Sequence, residues 1–193
     1  MKRLELLEHN VQELYVAKDP NRADWADWLG ENHVFVVADN ASELARRYSA
    51  NEELARAAAV LHDIADTKMS RFADNHEEMS LQIGRRLMKG ADFSDAEIDL
   101  VVDDAVRYHS CHDGHIPESL EGKILASADS MAHLKTDFYI FATWTLGKEK
   151  PLPEVKNWVL KKLERDFNNK ILFDDVREEC RDDYEKLKEL FHR

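Results

Sequence analysis

The sequence predicts an all-α protein, on three observations. Strong helix formers (Ala, Leu, Glu, Lys, Arg) abound while runs of β-branched residues are scarce. Only six Gly and four Pro interrupt 193 residues. Apolar side chains recur every three or four positions along most of the chain, as expected of helices with one buried face. A chain of this length buries about 70% of its unfolded surface. A single domain over residues 1–193 is therefore the simplest organisation, and no repeat, low-complexity tract or long linker divides it.

Taken in order, Leu4, Leu7, Val11 and Leu14 mark a first amphipathic helix that ends before Asp19-Pro20. A second helix is expected from about Arg22 to Ser49, carrying Trp25, Trp28, Leu29 and then His33 on the apolar face of Val36, Val37 and Leu44. The third runs from Glu52 to about Ala65, with Leu54, Ala58, Leu61 and Ala65 as its stripe. Asn75 with Glu78 three residues on reads as a capping box, opening a fourth helix (His76, Met79, Ile83, Leu87) that closes at Gly90. Ser94 with Glu97 repeats the signature and opens a fifth, whose stripe Ile98, Val102, Ala105 continues to His109. After a loop from Ser110 to Pro117, a helix from about Ser119 carries Asp129 and runs towards Trp144 with a break. Gly147, Pro151 and Pro153 punctuate before helices near Glu154 to Phe167 and Asp174 to Phe191, which pack on the bundle or on a second subunit as a homodimer would require.

Charge excludes some functions. A net charge of −12 argues against a nucleic-acid polymer or an anionic membrane as partner, since both are gripped by clustered Lys and Arg. No stretch approaches the 18 or so apolar residues of a membrane span, and Met1-Lys2-Arg3-Leu4-Glu5 lacks a signal-peptide core, so a cytoplasmic location is expected. Cys111 and Cys180 show no CxxC pairing and read as reduced thiols.

The chemistry gathers at Ala57-Ala58-Ala59-Val60-Leu61-His62-Asp63-Ile64, where a His-Asp pair ends an apolar helical run. A lone imidazole or carboxylate in the interior costs several kcal/mol, in round terms, unless paired or metal-bound. Upstream, His33 lies on an apolar stripe; downstream, Asp129 follows Leu125 by four residues in Lys123-Ile124-Leu125-Ala126-Ser127-Ala128-Asp129. The order His33, His62-Asp63, Asp129 resembles the HD-domain metal-dependent phosphohydrolase superfamily, over roughly residues 25 to 135. His76 and His109 fall where members with a second metal place theirs.

That resemblance implies a helical bundle of the HD-domain type over about residues 22–145, with extra C-terminal helices over about 154–192. It implies His33, His62, Asp63 and Asp129 as ligands of a divalent metal, joined by His76 and His109 if there are two ions. Mn, Fe, Co, Ni, Zn and Mg are not distinguished by such a mixed nitrogen and oxygen set. The implied activity is hydrolysis of a phosphate monoester, diester or anhydride bond of a small, nucleotide-type substrate by a metal-activated water, in which Asp63 takes part. In the same family a lysine soon after the His-Asp pair approaches the substrate phosphate, which singles out Lys68. Asp66 suits a general base or a water-orienting group, and equally a turn carboxylate. Arg71, His112, His115 and His133 are further polar candidates near these elements. A non-catalytic helical module that binds metal or ligand in the same pocket is the alternative.

Overall fold

Why the helices meet where they do follows from residue size. The computed structural model describes residues 2–192, which are helical with no strand among them. In order come α1 (Arg3–Val16), α2 (Ala26–Asn32), α3 (Val34–Tyr48), α4 (Glu52–Leu61), α5 (His76–Gly90), α6 (Asp95–Ile98), α7 (Leu120–Lys135), α8 (Phe138–Leu146), α9 (Leu152–Arg165), α10 (Asp174–Glu179) and α11 (Arg181–His192). The centre is α4, whose Ala55, Ala57, Ala58 and Ala59 are all fully buried. Alanines on every side let α3 and α7 approach it closely, because interaxial distance follows the size of the contacting side chains. Asn51 caps its start by accepting from the Leu54 amide at 3.2 Å.

Two glycines mark close approaches. A Cβ on Gly30 would lie 2.9 Å from the Tyr15 ring, where α2 crosses α1. A Cβ on Gly122 would lie 2.4 Å from that of Pro117, where the preceding loop folds back over the first turn of α7. The buried apolar set is continuous from Leu7 of α1 to Phe191 of α11, so the C-terminal helices share the core.

The structure departs from the expected helices at five places. The helix expected over Arg22–Ser49 breaks at His33, whose φ of −129° and ψ of −59° separate α2 from α3. Asn75 makes no capping hydrogen bond, whereas the Ser94–Glu97 box forms as expected. Beyond α6 the coil widens into a π-helical stretch, Asp99–Val106, and a second one, Asp166–Lys170, follows α9. The last helix is two, α10 and α11, meeting at Cys180. The aromatic run of α8 is largely structural: Phe138 and Tyr139 are buried, and Phe141 stacks on Trp28 at 4.3 Å.

Candidate metal centre

Local breaks in the helices aim the polar side chains. His33 sits at the kink between α2 and α3; His62 ends α4, with Asp63 just beyond at φ −121° before a 3₁₀ turn, Ile64–Thr67. Asp129 lies in the middle of α7, where every residue from Ile124 to Leu134 is buried. These elements bring one ligand atom each from His33, His62 and Asp129 within 4.8 Å of one another. His33 Nε2 approaches Asp129 Oδ1 at 3.1 Å and His62 Nε2 approaches it at 3.8 Å. Asp63 Oδ2 lies 3.4 Å from His62 Nε2.

None of these approaches has hydrogen-bond direction. His33 Nε2, His62 Nε2 and Asp129 Oδ1 are buried without a hydrogen-bond partner. Each such orphan costs about 1–3 kcal/mol, and a cation among them satisfies all three at once. The tautomers suit this. His62 donates from Nδ1 to the Ala59 carbonyl at 2.7 Å, which leaves Nε2 as a lone pair. Burial pushes the His33 pKa down, so its ring too is neutral and ligand-ready. Burial also raises the Asp129 carboxyl, but His133 and Lys170 pull it down further and hold it well below the ordinary range. In the same way Arg71 outweighs burial at Asp63, helped by His62 and His109, and keeps that carboxylate ionised.

The other sequence candidates are placed around this cluster rather than in it. His109 donates from Nδ1 to Val106 O at 2.6 Å, a geometry set by the π-helical stretch before it; its ring lies 5.3 Å from that of His62. Burial, with Lys170 and His62, pushes its pKa down to about 4. His76 turns Nε2 to Asp66 Oδ1 at 2.9 Å, away from the three converging atoms. Asp66, fully buried, takes Arg71 on its other oxygen at 2.6 Å, so both oxygens are engaged and it reads as a positioning group rather than a base. The Lys68 ammonium pairs with Asp19 at 3.1 Å, and the loop cation beside the carboxylates is Arg71, 2.5 Å from Asp63 Oδ2. The loop curls through the 3₁₀ turn, and this exchanges the two. His112 lines the pocket, whereas His115 does not.

A cavity of about 200 Å³ opens beside the cluster. Its walls include three cations from after α8, namely Lys162, Arg165 and Lys170. Lys170, only 2% exposed, binds Asp129 Oδ2. Asp166 lies 2.9 Å from His133 Nδ1 and accepts from the Tyr139 hydroxyl at 2.7 Å and from Lys162 at 3.0 Å. Burial, then Lys170 and Arg165, push the Lys162 ammonium down to about 8. Sequence reading passed over this arm. A signal exists, since Lys162, Asp166 and Lys170 follow one another at four-residue spacing and continue the stripe of Val155 and Val159 inward.

Comparison with curated proteins gives no match. Among solved structures, a protein described as a predicted HD superfamily hydrolase, from an uncultured Thermotogales bacterium, superposes with a TM-score of 0.64 at 22% identity. The match covers 100% of this chain and 91% of that one, and at this identity it speaks for the fold. Residues 30–134 match the family model of the HD domain, a stretch that spans more than half of the chain and holds His33, His62, Asp63 and Asp129. The chain belongs to the HD-domain family.

Proposed function

We propose that the protein is a metal-dependent phosphohydrolase acting on a small phosphorylated substrate of nucleotide type. The observation that carries this reading is the convergence of three buried, unpartnered ligand atoms from His33, His62 and Asp129 at the floor of a cation-lined pocket. These residues would hold the ion, with Asp63 beside them. Bound there, a divalent ion lowers the pKa of a coordinated water and polarises a phosphoryl oxygen.

The chain supplies the rest. Arg71 ties the Asp63 and Asp66 carboxylates together at 2.5 and 2.6 Å, fixing the loop after α4 against the site. Asp66 in turn orients the ring of His76. With Nε2 donated to Asp66, His76 keeps Nδ1 as an acceptor, the form needed to receive a proton. His109 keeps Nε2 free for a substrate oxygen or an ion. At about 200 Å³ the cavity is smaller than the roughly 300–1,000 Å³ that encloses a whole organic ligand. Only the phosphate end enters, and the organic part stays outside.

The test is release of inorganic phosphate from a panel of nucleoside mono-, di- and triphosphates and simple phosphomonoesters with Mn²⁺, Co²⁺ or Mg²⁺. Turnover that disappears with chelator and returns with metal is expected. A metal-loaded protein, its metal verified by elemental analysis, that releases phosphate from none of them would instead be a binding module. The same analysis on His76→Ala and His109→Ala counts ions. Because His76 is held by Asp66, one ion per chain is expected in all three proteins.

A further inference from the structure

Among the described residues, no carboxylate lies within hydrogen-bond reach of Arg165, and its ion-pair neighbour Asp166 stands 3.9 Å away. Arg165 lies at the end of α9, outside the residues that match the family model, and it lines the same cavity as His62, Asp63 and Asp129. Its Nε is buried without a partner, 3.9 Å from Asp166 Oδ1. Its Nη1 meets only the ring of His112, 3.0 Å from Nε2. One turn back, Lys162 also faces the cavity, and its nearest acid, Asp166, is already shared with His133 and Tyr139. The chain as a whole carries 39 acidic residues against 27 Lys and Arg, so a partly buried guanidinium that opens on a pocket and meets only the shared Asp166, at 3.9 Å, calls for an anion from outside.

Phosphate at the floor of the pocket does not use it up. Each of the carboxylates there has its own protein cation: Asp63 has Arg71 and Asp129 has Lys170. The donors of Arg165 are left over for a group further along the ligand. A guanidinium presents paired N–H donors that match two oxygens of a phosphoryl group, which a carboxylate-paired lysine does not.

We propose that Arg165, assisted by Lys162, forms an anion subsite for a second phosphoryl group, so that the ligand class of this pocket is an organic diphosphate rather than a monophosphate. The inference rests on the phosphohydrolase reading of the same site, but its test needs no turnover. Binding of methylenebisphosphonate and of methylphosphonate is measured by calorimetry on metal-loaded protein at one fixed free-metal concentration. The wild type should prefer the bisphosphonate by about tenfold or more. Arg165→Gln should bring that ratio close to one, Arg165→Lys should keep part of it, and Lys161→Gln, on the exposed side of the same helix, should leave it unchanged. A ratio that falls equally in Arg165→Gln and Lys161→Gln reflects net charge alone and overturns the subsite. So does a wild type without preference, or one that binds neither phosphonate. If turnover is found and the ratio fails, the enzyme reading stands and the subsite falls; if the ratio holds and turnover is absent, the reverse is true.

Discussion

Two stretches of chain share the pocket, and they bring opposite chemistry to it. The stretch matching the HD domain, residues 30–134, contributes unpartnered nitrogens at a kink and a helix end, His33 and His62, and an ionised oxygen from the middle of α7, Asp129. The stretch from α9 onward contributes Lys162, Arg165 and Lys170. The first arrangement selects a cation and the second an anion. What attracts the ion and what reads the rest of the ligand are thus separable, and the second can change without disturbing the first. Asp166 does not blur the division, because it turns to His133, Tyr139 and Lys162 and serves to seat the arm.

The largest effect should come from the first stretch. Asp129→Asn keeps the shape of the side chain but removes the charge that His33 and His62 converge upon. Phosphate release should fall by about a thousandfold or more, close to 4 kcal/mol in activation free energy. Metal content by elemental analysis should drop with it. Wild-type turnover in this variant would put the chemistry elsewhere in the pocket and collapse the division between the two stretches.

A smaller effect, in stability rather than rate, is expected from the seat of the arm. Asp166 is fully buried, and Asp166→Ala strands the His133 N–H, the Tyr139 hydroxyl and the Lys162 ammonium. Breaking a buried pair in this way costs about 3 kcal/mol, to be read by denaturant unfolding. A pH dependence accompanies it. Burial raises the Asp166 carboxyl, but Lys162 and His133 more than offset this and hold it below its ordinary range. A depressed carboxylate gives stability that is full above its unfolded pKa of about 3.9 and is lost as pH falls below it. His133, pushed down to about 3 by burial and Lys162, acts in the same direction: unfolded His takes up a proton below about pH 6.5 and the folded ring does not. The wild type should therefore lose stability from about pH 6.5 downward. If Asp166→Ala shows the same slope below pH 4 as the wild type, the seat is not where the arm is held.

The first stretch was far more legible in the sequence than the second, for a physical reason. His33, His62 and Asp129 are polar residues on otherwise apolar helical stripes, and such a mismatch is visible one helix at a time. Lys162 and Arg165 lie in the run Lys161-Lys162-Leu163-Glu164-Arg165-Asp166, which has the composition of a solvated face, and Lys170 follows four residues after it. The four-residue spacing of Lys162, Asp166 and Lys170 hints that part of that face turns inward, and tertiary packing shows it. Lys68 and Arg71 pose a different problem. They share one loop, three residues apart, and the 3₁₀ turn at Ile64–Thr67 decides which reaches the carboxylates. The break at His33 has no Pro or adjacent Gly to announce it, so the helix looked continuous.

The smallest expected effect asks whether the arm depends on the helices that follow it. Beyond Lys170, besides the apolar packing of α11 on α7, polar and ring contacts fasten the chain to the family core near the site and at the far end of α3. Next to the site, the Leu172 amide donates to Ser127 Oγ at 3.0 Å, two residues before Asp129. At the far end of α3, Tyr48 stacks on Phe173 at 4.0 Å and donates to Asp175 Oδ1 at 2.6 Å, while Arg47 binds Glu179 at 2.8 Å. These outer contacts are partly exposed, so Tyr48→Leu should cost only about 1 kcal/mol, the worth of one aromatic pair or one hydrogen bond. If the fastening at Ser127 alone fixes the arm, phosphate release and the preference for a bisphosphonate stay within twofold of wild type while the melting temperature falls by a few degrees, roughly as a 1 kcal/mol loss dictates for a chain of this size. If the preference drops in step with stability, α10 and α11 are what hold Arg165 in place, and the anion-reading half of the pocket extends to the end of the described chain.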